Sequence, residues 1–217
     1  MLQRFLEPYI DAALDAIENA LKPLTDALRR RREDKELKPF RRHFQTDILP
    51  QPVDGLAEYP PKEYLGEKNI FAYIVIFLID PPFETAIADL AAVTFPVQLE
   101  KEGAGRWAEN ERGETLWAQW YPEFNGIKYR IVTNSVGFLT ALDALETRPP
   151  HPWDTWPGLD AFDVRPTQGG PEWWWYAYWK PYWLALPQEK VDVYLEEQLR
   201  NHPDWLSAIA MWGGRID

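Results

Sequence analysis

Residues 115–133 read TLWAQWYPEFNGIKYRIVT. Thr115 to Tyr121 and Ile127 to Thr133 alternate along the chain with the two-residue period of a β-strand. Between them lies Pro122-Glu123-Phe124-Asn125-Gly126, and Asn-Gly is the strongest short-range signal for a hairpin. The stretch predicts two antiparallel strands and a tight turn. Upstream, Ile70 to Ile79 is an unbroken apolar run, IFAYIVIFLI. Its β-branched and aromatic content predicts a strand over Asn69 to Asp80, buried on both faces. It is about half the ~20 residues that a membrane helix needs.

Working outward, Pro81-Pro82 ends that strand, and Phe83 to Val93 carries helical spacing through Ile87, Leu90 and Ala91. Thr94 to Glu100 reads as a further strand with Val97 and Leu99 on one face. Past the hairpin, Ser135 is placed to cap a helix through Phe138, Leu139, Leu142 and Leu145. Pro187 opens another, with Val191, Tyr194, Leu195 and Leu199 on one side. His202-Pro203 interrupts it, and Asp204 is expected to cap a last helix from Trp205 to Trp212, stopped by Gly213-Gly214. This order predicts an α+β fold: a mainly antiparallel sheet, with N-terminal and C-terminal helices packed on it, in a single domain.

Two parts are expected within that domain. Residues 1–50 read as an N-terminal helical arm, its apolar stripe running through Leu6, Ile10, Leu14, Ile17, Leu21 and Leu28. Arg29 to Arg32 follow at its C-terminal end, where the helix dipole favours cations. Four prolines (50, 52, 60, 61) mark residues 46–68 as an irregular connection. Residues 51–217 then form an aromatic-rich acidic body. The chain has 217 residues and a formal charge of −11, and residues 51–217 carry 25 of its 34 acids. Such a balance argues against non-specific nucleic-acid binding, which needs a cationic face. The absence of Cys excludes disulfides, thiolate metal sites and a cysteine nucleophile. With no secretory signal or membrane span to read at the termini, the expected location is cytoplasmic.

All 12 Trp lie between residues 107 and 212. Five fall in Trp173-Trp174-Trp175-Tyr176-Ala177-Tyr178-Trp179-Lys180-Pro181-Tyr182-Trp183. As a strand, this segment would put rings on both faces, which predicts either a central position in the sheet or contact of one half with something outside the domain. Just before it, Asp143 to Glu172 mixes Trp153 and Trp156 with Asp154, Asp160, Asp163 and Glu172, in a stretch rich in proline and glycine. Loops of that composition present side chains to partners more readily than helices do. Glu109, Glu111 and Glu114 form a second acidic segment.

No motif names a reaction. Gly103-Ala104-Gly105 lacks the spacing of a phosphate-binding loop, no Gly-x-Ser-x-Gly occurs, and His43, His151 and His202 include no pair at helical spacing. No catalytic residue, metal or cofactor is therefore assigned, and the expected class is a binding protein rather than an enzyme. In composition the chain resembles the bacterial immunity proteins that neutralise toxins, which are commonly small, acidic and free of catalytic motifs. That resemblance implies a cognate protein toxin or effector, basic in charge, as partner, with neither nucleic acid nor membrane involved. The candidate contact residues are Trp153, Asp154, Trp156, Asp160, Asp163 and Glu172, with Glu109, Glu111 and Glu114 as a second loop. Two other readings remain open: a carbohydrate-binding or carbohydrate-active protein stacking sugars on the Trp-rich segment, and a secretion adaptor or chaperone for an effector.

Overall fold

The computed structural model describes residues 34–45, 48–49, 51–99, 105–164, 168–199 and 201–212. Two compact units divide the chain, Met1–His43 and Phe44–Asp217. In the first, residues 34–43 form helix α1, and Arg41 bonds back to Asp34 at 3.1 Å. The expected helix through Leu6 and Leu28, and the arginines after it, lie outside the described residues.

The second unit is α+β, built on a six-stranded sheet in which every neighbouring pair is antiparallel. Its strands are β1 (Lys62–Tyr64), β2 (Tyr73–Ile79), β3 (Val97–Gln98), β4 (Arg106–Glu109), β5 (Thr115–Glu123) and β6 (Gly126–Thr133), in the order β1-β2-β6-β5-β4-β3. The predicted hairpin is present, with a shifted turn. Glu123 pairs with Gly126, so the two loop residues are Phe124 and Asn125, both left-handed (φ 50° and 53°). Two consecutive left-handed residues match the sheet's twist, the type I′ solution. Asn suits it, whereas Phe adopts it at a cost.

Gly126 is thereby a strand residue, and packing explains its identity. A Cβ there would lie 2.6 Å from the Ile79 carbonyl oxygen and 2.7 Å from Pro150 Cγ. Gly126→Ala is expected to destabilise the fold by roughly 1–2 kcal/mol through overpacking, read as a lowered urea midpoint. A loss under about 0.5 kcal/mol would mean that the Ile79 backbone and Pro150 both yield freely.

One face of the sheet carries Val75, Phe77, Ile79, Tyr129, Ile131, Leu116, Ala118 and Ala108. It packs against α2 (Glu84–Thr94) and α3 (Val136–Ala144), which contribute Ile87, Phe138, Leu139 and Leu142. Ser135 caps α3 as its sequence suggests, accepting from the Phe138 N–H at 3.3 Å. On the other face, Leu78 enters a second core made by the C-terminal helices. Strand β2 is thus buried on both sides at Phe77–Ile79 but not along its whole length, since Ile76 is 36% exposed.

The Trp-rich segment is the main correction: it is helical, not a strand. Helix α5 (Gly169–Trp174) passes through a π segment (Trp175–Trp179) into α6 (Lys180–Ala185). Trp174 and Tyr178 face inward, as do Trp175, Trp179 and Trp183, so two rows of rings repeat every four residues. In a regular α-helix such rows drift about 40° per step around the axis. The wider π turn offsets that drift and keeps both rows on the core. It also precedes Pro181, which has no N–H to donate.

The remaining helices are α4 (Pro152–Thr155), α7 (Gln188–Leu199) and α8 (Pro203–Met211). Asp204 does not cap α8. The N-cap is His202, and Asp204 lies in the first turn, where its charge still favours the dipole. Strand β3 covers only two of the seven residues expected.

Candidate functional site

Four elements meet at the tip of the β5–β6 hairpin. Asn125 Nδ2 donates to the Asp154 carbonyl oxygen (2.8 Å), which ties the tip to α4. The Phe124 ring lies against Trp156 (5.6 Å between centroids) and Tyr178 (6.1 Å), and Trp156 meets Trp174 edge-on (6.4 Å, 83°). Trp156 is therefore a half-buried wedge between hairpin and helix. Trp153 is held more tightly still, sandwiched between the His151 ring (4.6 Å, 13°) and the His202 ring (3.9 Å, 6°). The two tryptophans expected as contact anchors thus spend much of their surface inside the fold.

The acids beside them face solvent. Asp154, Asp160, Asp163 and Glu172 are all exposed. Asp160 Oδ1 accepts from the Phe162 N–H at 2.8 Å, an Asx turn that shapes the loop after α4. Burial raises the Asp154 carboxyl above its ordinary value; Asp80 adds to this, and Arg148 and His202 oppose it. The other expected group lies apart. Glu114 Oε2 accepts from Asn110 Nδ2 (2.7 Å) and from Ser135 Oγ (2.8 Å), so it fastens the β4–β5 turn to the start of α3. Glu109 ends β4, half-buried, and Glu111 is exposed in the turn. Strand β5 separates this turn from the hairpin tip by about 27 Å. The structure brings Trp153, Asp154 and Trp156 together in α4 and its immediate C-terminal end, and sets the Glu109–Glu114 turn at the far end of β5.

Other residues at the tip are not among the contact residues expected from the sequence. Trp173 and Tyr176 are each 54% exposed, on a helix whose remaining tryptophans are buried. Lys128 lies over the rings of Tyr121 (5.5 Å), Trp173 (5.8 Å) and Tyr178 (5.6 Å), and Lys180 lies over Tyr176 (5.1 Å). Glu123 joins this group, bridging to Lys128 (3.2 Å) and accepting from the Tyr178 hydroxyl (2.6 Å). Burial disfavours the Lys128 charge, but bonding to Tyr178, Tyr121 and Glu123 outweighs it and holds the ammonium more basic than usual. Burial, then the Glu123 bond, push the Tyr178 hydroxyl up to about 12. The result is a fixed aromatic and charged surface, with Trp173 and Tyr176 at its solvent side. Their exposure follows from the four-residue spacing of their buried neighbours, a helical signal present in the sequence.

A second concave region, about 400 Å³, is lined by Arg148, His151, Tyr182, Lys190 and Tyr194 among others. Its cations are engaged, Arg148 with Asp80 (2.7 Å) and Lys190 with Glu146. Among the described residues, no three His, Asp or Glu side chains converge as metal ligands, and no helix is long and apolar enough to cross a membrane. Comparison with known proteins finds no family model, no curated protein and no solved structure that matches the chain. The site is therefore read from its own chemistry.

Proposed function

We propose that this protein binds and neutralises a basic partner protein, a toxin or effector, as bacterial immunity proteins do. The observation that carries the reading is the exposed Trp173–Tyr176 pair on a helix fixed by buried rings, with Glu172 beside it and the Asp160–Asp163 loop following Trp156. Rigid aromatic anchors lose little entropy on docking and dominate interface energetics. An acidic chain speeds the approach of a basic partner, while the anchors slow its release. The acids at positions 154, 160, 163 and 172 fit the first role. Trp173 and Tyr176 take the anchoring role, with Trp153 and Trp156 holding the surface in place behind them. Sugar stacking on the Trp-rich segment is left with two solvent-facing rings, because Trp174, Trp175, Trp179 and Trp183 are buried.

Affinity capture at ~0.15 M and ~0.5 M salt, where charge screening differs sharply, tests the reading. The expected result is one stoichiometric basic partner retained at both salt concentrations and inhibited by this protein. Trp173→Ala with Tyr176→Ala should weaken that complex by about 2 kcal/mol while leaving the fold intact. Absence of a partner at either salt, or unchanged affinity in the folded double variant, would overturn it.

A further inference from the structure

The face of the sheet that packs against α2 and α3 holds a cavity of about 190 Å³ that the binding surface does not use. It exists because small residues meet across it. Ala88, Ala91 and Ala92 of α2 stand over Ala108 of β4 and Ala118 of β5, and Phe138 closes one side. Ala88 and Ala92 are exposed, whereas larger side chains at Ala91, Ala108 or Ala118 would fill the gap. The lining is otherwise apolar, through Ile87, Leu116 and Ile131, with few polar side chains.

One of those polar groups is Arg106. It faces Ala118 across the β4–β5 ladder and lines the cavity. Its guanidinium lies 4.7 Å from the centre of the Trp120 ring. Trp120 in turn stacks on Tyr129 (5.9 Å, 17°), and Tyr129 on Phe77 (5.7 Å, 26°). A row of rings across three strands therefore supports the cation from one side. Stacking occupies the face of a guanidinium and leaves its in-plane N–H donors available. Among the described residues, Arg106 has no carboxylate partner. It is exposed, so its charge sits at the wet end of an apolar space.

We infer that this cavity binds a small amphipathic carboxylate, with the apolar chain between α2 and the sheet and the carboxylate paired to Arg106. A planar carboxylate matches the guanidinium fork, and the fit is two-pronged where both oxygens are engaged. A cavity near 150 Å³ accommodates benzene, so this one suits a chain of about eight carbons. An uncharged chain of that length would gain the same apolar burial but no charge pairing with Arg106, whose donors then stay hydrated. In a chain of net charge −11, a cation without a carboxylate partner among the described residues, at the mouth of an apolar cavity, is the feature that selects an anion.

Calorimetric titration of the full chain with sodium octanoate, and separately with 1-octanol, tests the assignment. Octanoate is expected to bind one to one, about two- to fivefold more tightly than octanol, the range for a charge pair at an exposed site. Arg106→Gln should erase that preference and leave octanol binding unchanged. Ala118→Leu should abolish binding of both, and Ala91→Leu serves the same purpose from the helix side if the first variant fails to fold. No saturable octanoate binding at millimolar concentration would overturn the inference. So would an octanoate preference that survives Arg106→Gln, or octanoate affinity unchanged in a folded cavity-filling variant.

Discussion

Replacing Trp179 with Ala is expected to lower the unfolding free energy by about 4 kcal/mol, at the level of the largest core truncations. Trp179 is fully buried. Its ring stacks on Trp174 (5.4 Å, 22°) and Trp183 (6.1 Å, 14°), and it also meets Tyr182, Tyr194 and His151. Alanine would leave a cavity walled by rigid rings that cannot collapse into it. A loss of that size is a large share of the 5–15 kcal/mol available to a typical domain, so the variant should unfold at much lower denaturant.

A second substitution at the same position separates packing from polarity. The Trp179 indole N–H has no acceptor among the described residues, and the same holds for Trp156, Trp174, Trp175 and Trp183. A buried donor without a partner costs about 1–3 kcal/mol. Trp179→Phe keeps most of the ring and removes the orphan donor, so its loss should be under about 2 kcal/mol. Trp173→Ala, on the solvent side of the adjoining α5, should change stability by less than about 0.5 kcal/mol. Guanidinium titrations of the three variants check the ordering. Equal losses at 173 and 179 would contradict the division of this helical stretch into a core side and a solvent side.

That division also shows where sequence reading reaches and where it stops. The hairpin of residues 115–133 was legible from its two-residue period, which burial follows around Arg130, exposed between buried Tyr129 and Ile131, although Leu116–Ala118 and Ile131–Thr133 are covered on both faces, while the left-handed pair at the turn had only Asn125 to announce it. Gly126 looked like a turn glycine, yet its reason is the approach of Ile79 and Pro150, a contact between elements distant in sequence. The Trp-rich segment misleads for a related reason. Rings at nearly every position satisfy a two-residue and a four-residue period alike, and only burial at 174, 175, 178, 179 and 183 chooses the second. At the candidate site, the exposed acids follow from composition and loop chemistry. The inward packing of Trp153 depends on His151 and His202, the second of which is some fifty residues away.

That histidine pair leads to a pH dependence of known sign. His151 is held down to about 3 from an ordinary 6.5, first by burial, then by the charges of Arg148 and His202. Its Nδ1 lies 2.8 Å from the Tyr194 hydroxyl, whose own ionisation burial pushes far upward. The hydroxyl therefore donates and the neutral imidazole accepts. Protonating Nδ1 would remove that acceptor and place a cation between Trp153, Trp179 and Tyr194, close to Arg148. A group whose pKa is lower folded than unfolded is protonated first in the unfolded chain. Its contribution is present in full above pH 6.5 and is lost as pH falls from 6.5 toward 3. Integrated to pH 4 and reduced for its partial exposure, the loss is roughly 2–3 kcal/mol. His151→Gln should be less stable than the parent at pH 7, with a flatter profile below pH 6.5, so the two curves converge on acidification. Urea midpoints at pH 7, 5.5 and 4 check this. Parallel curves would assign the acid sensitivity to the carboxylates instead, because a group that keeps its ordinary pKa on folding adds no slope.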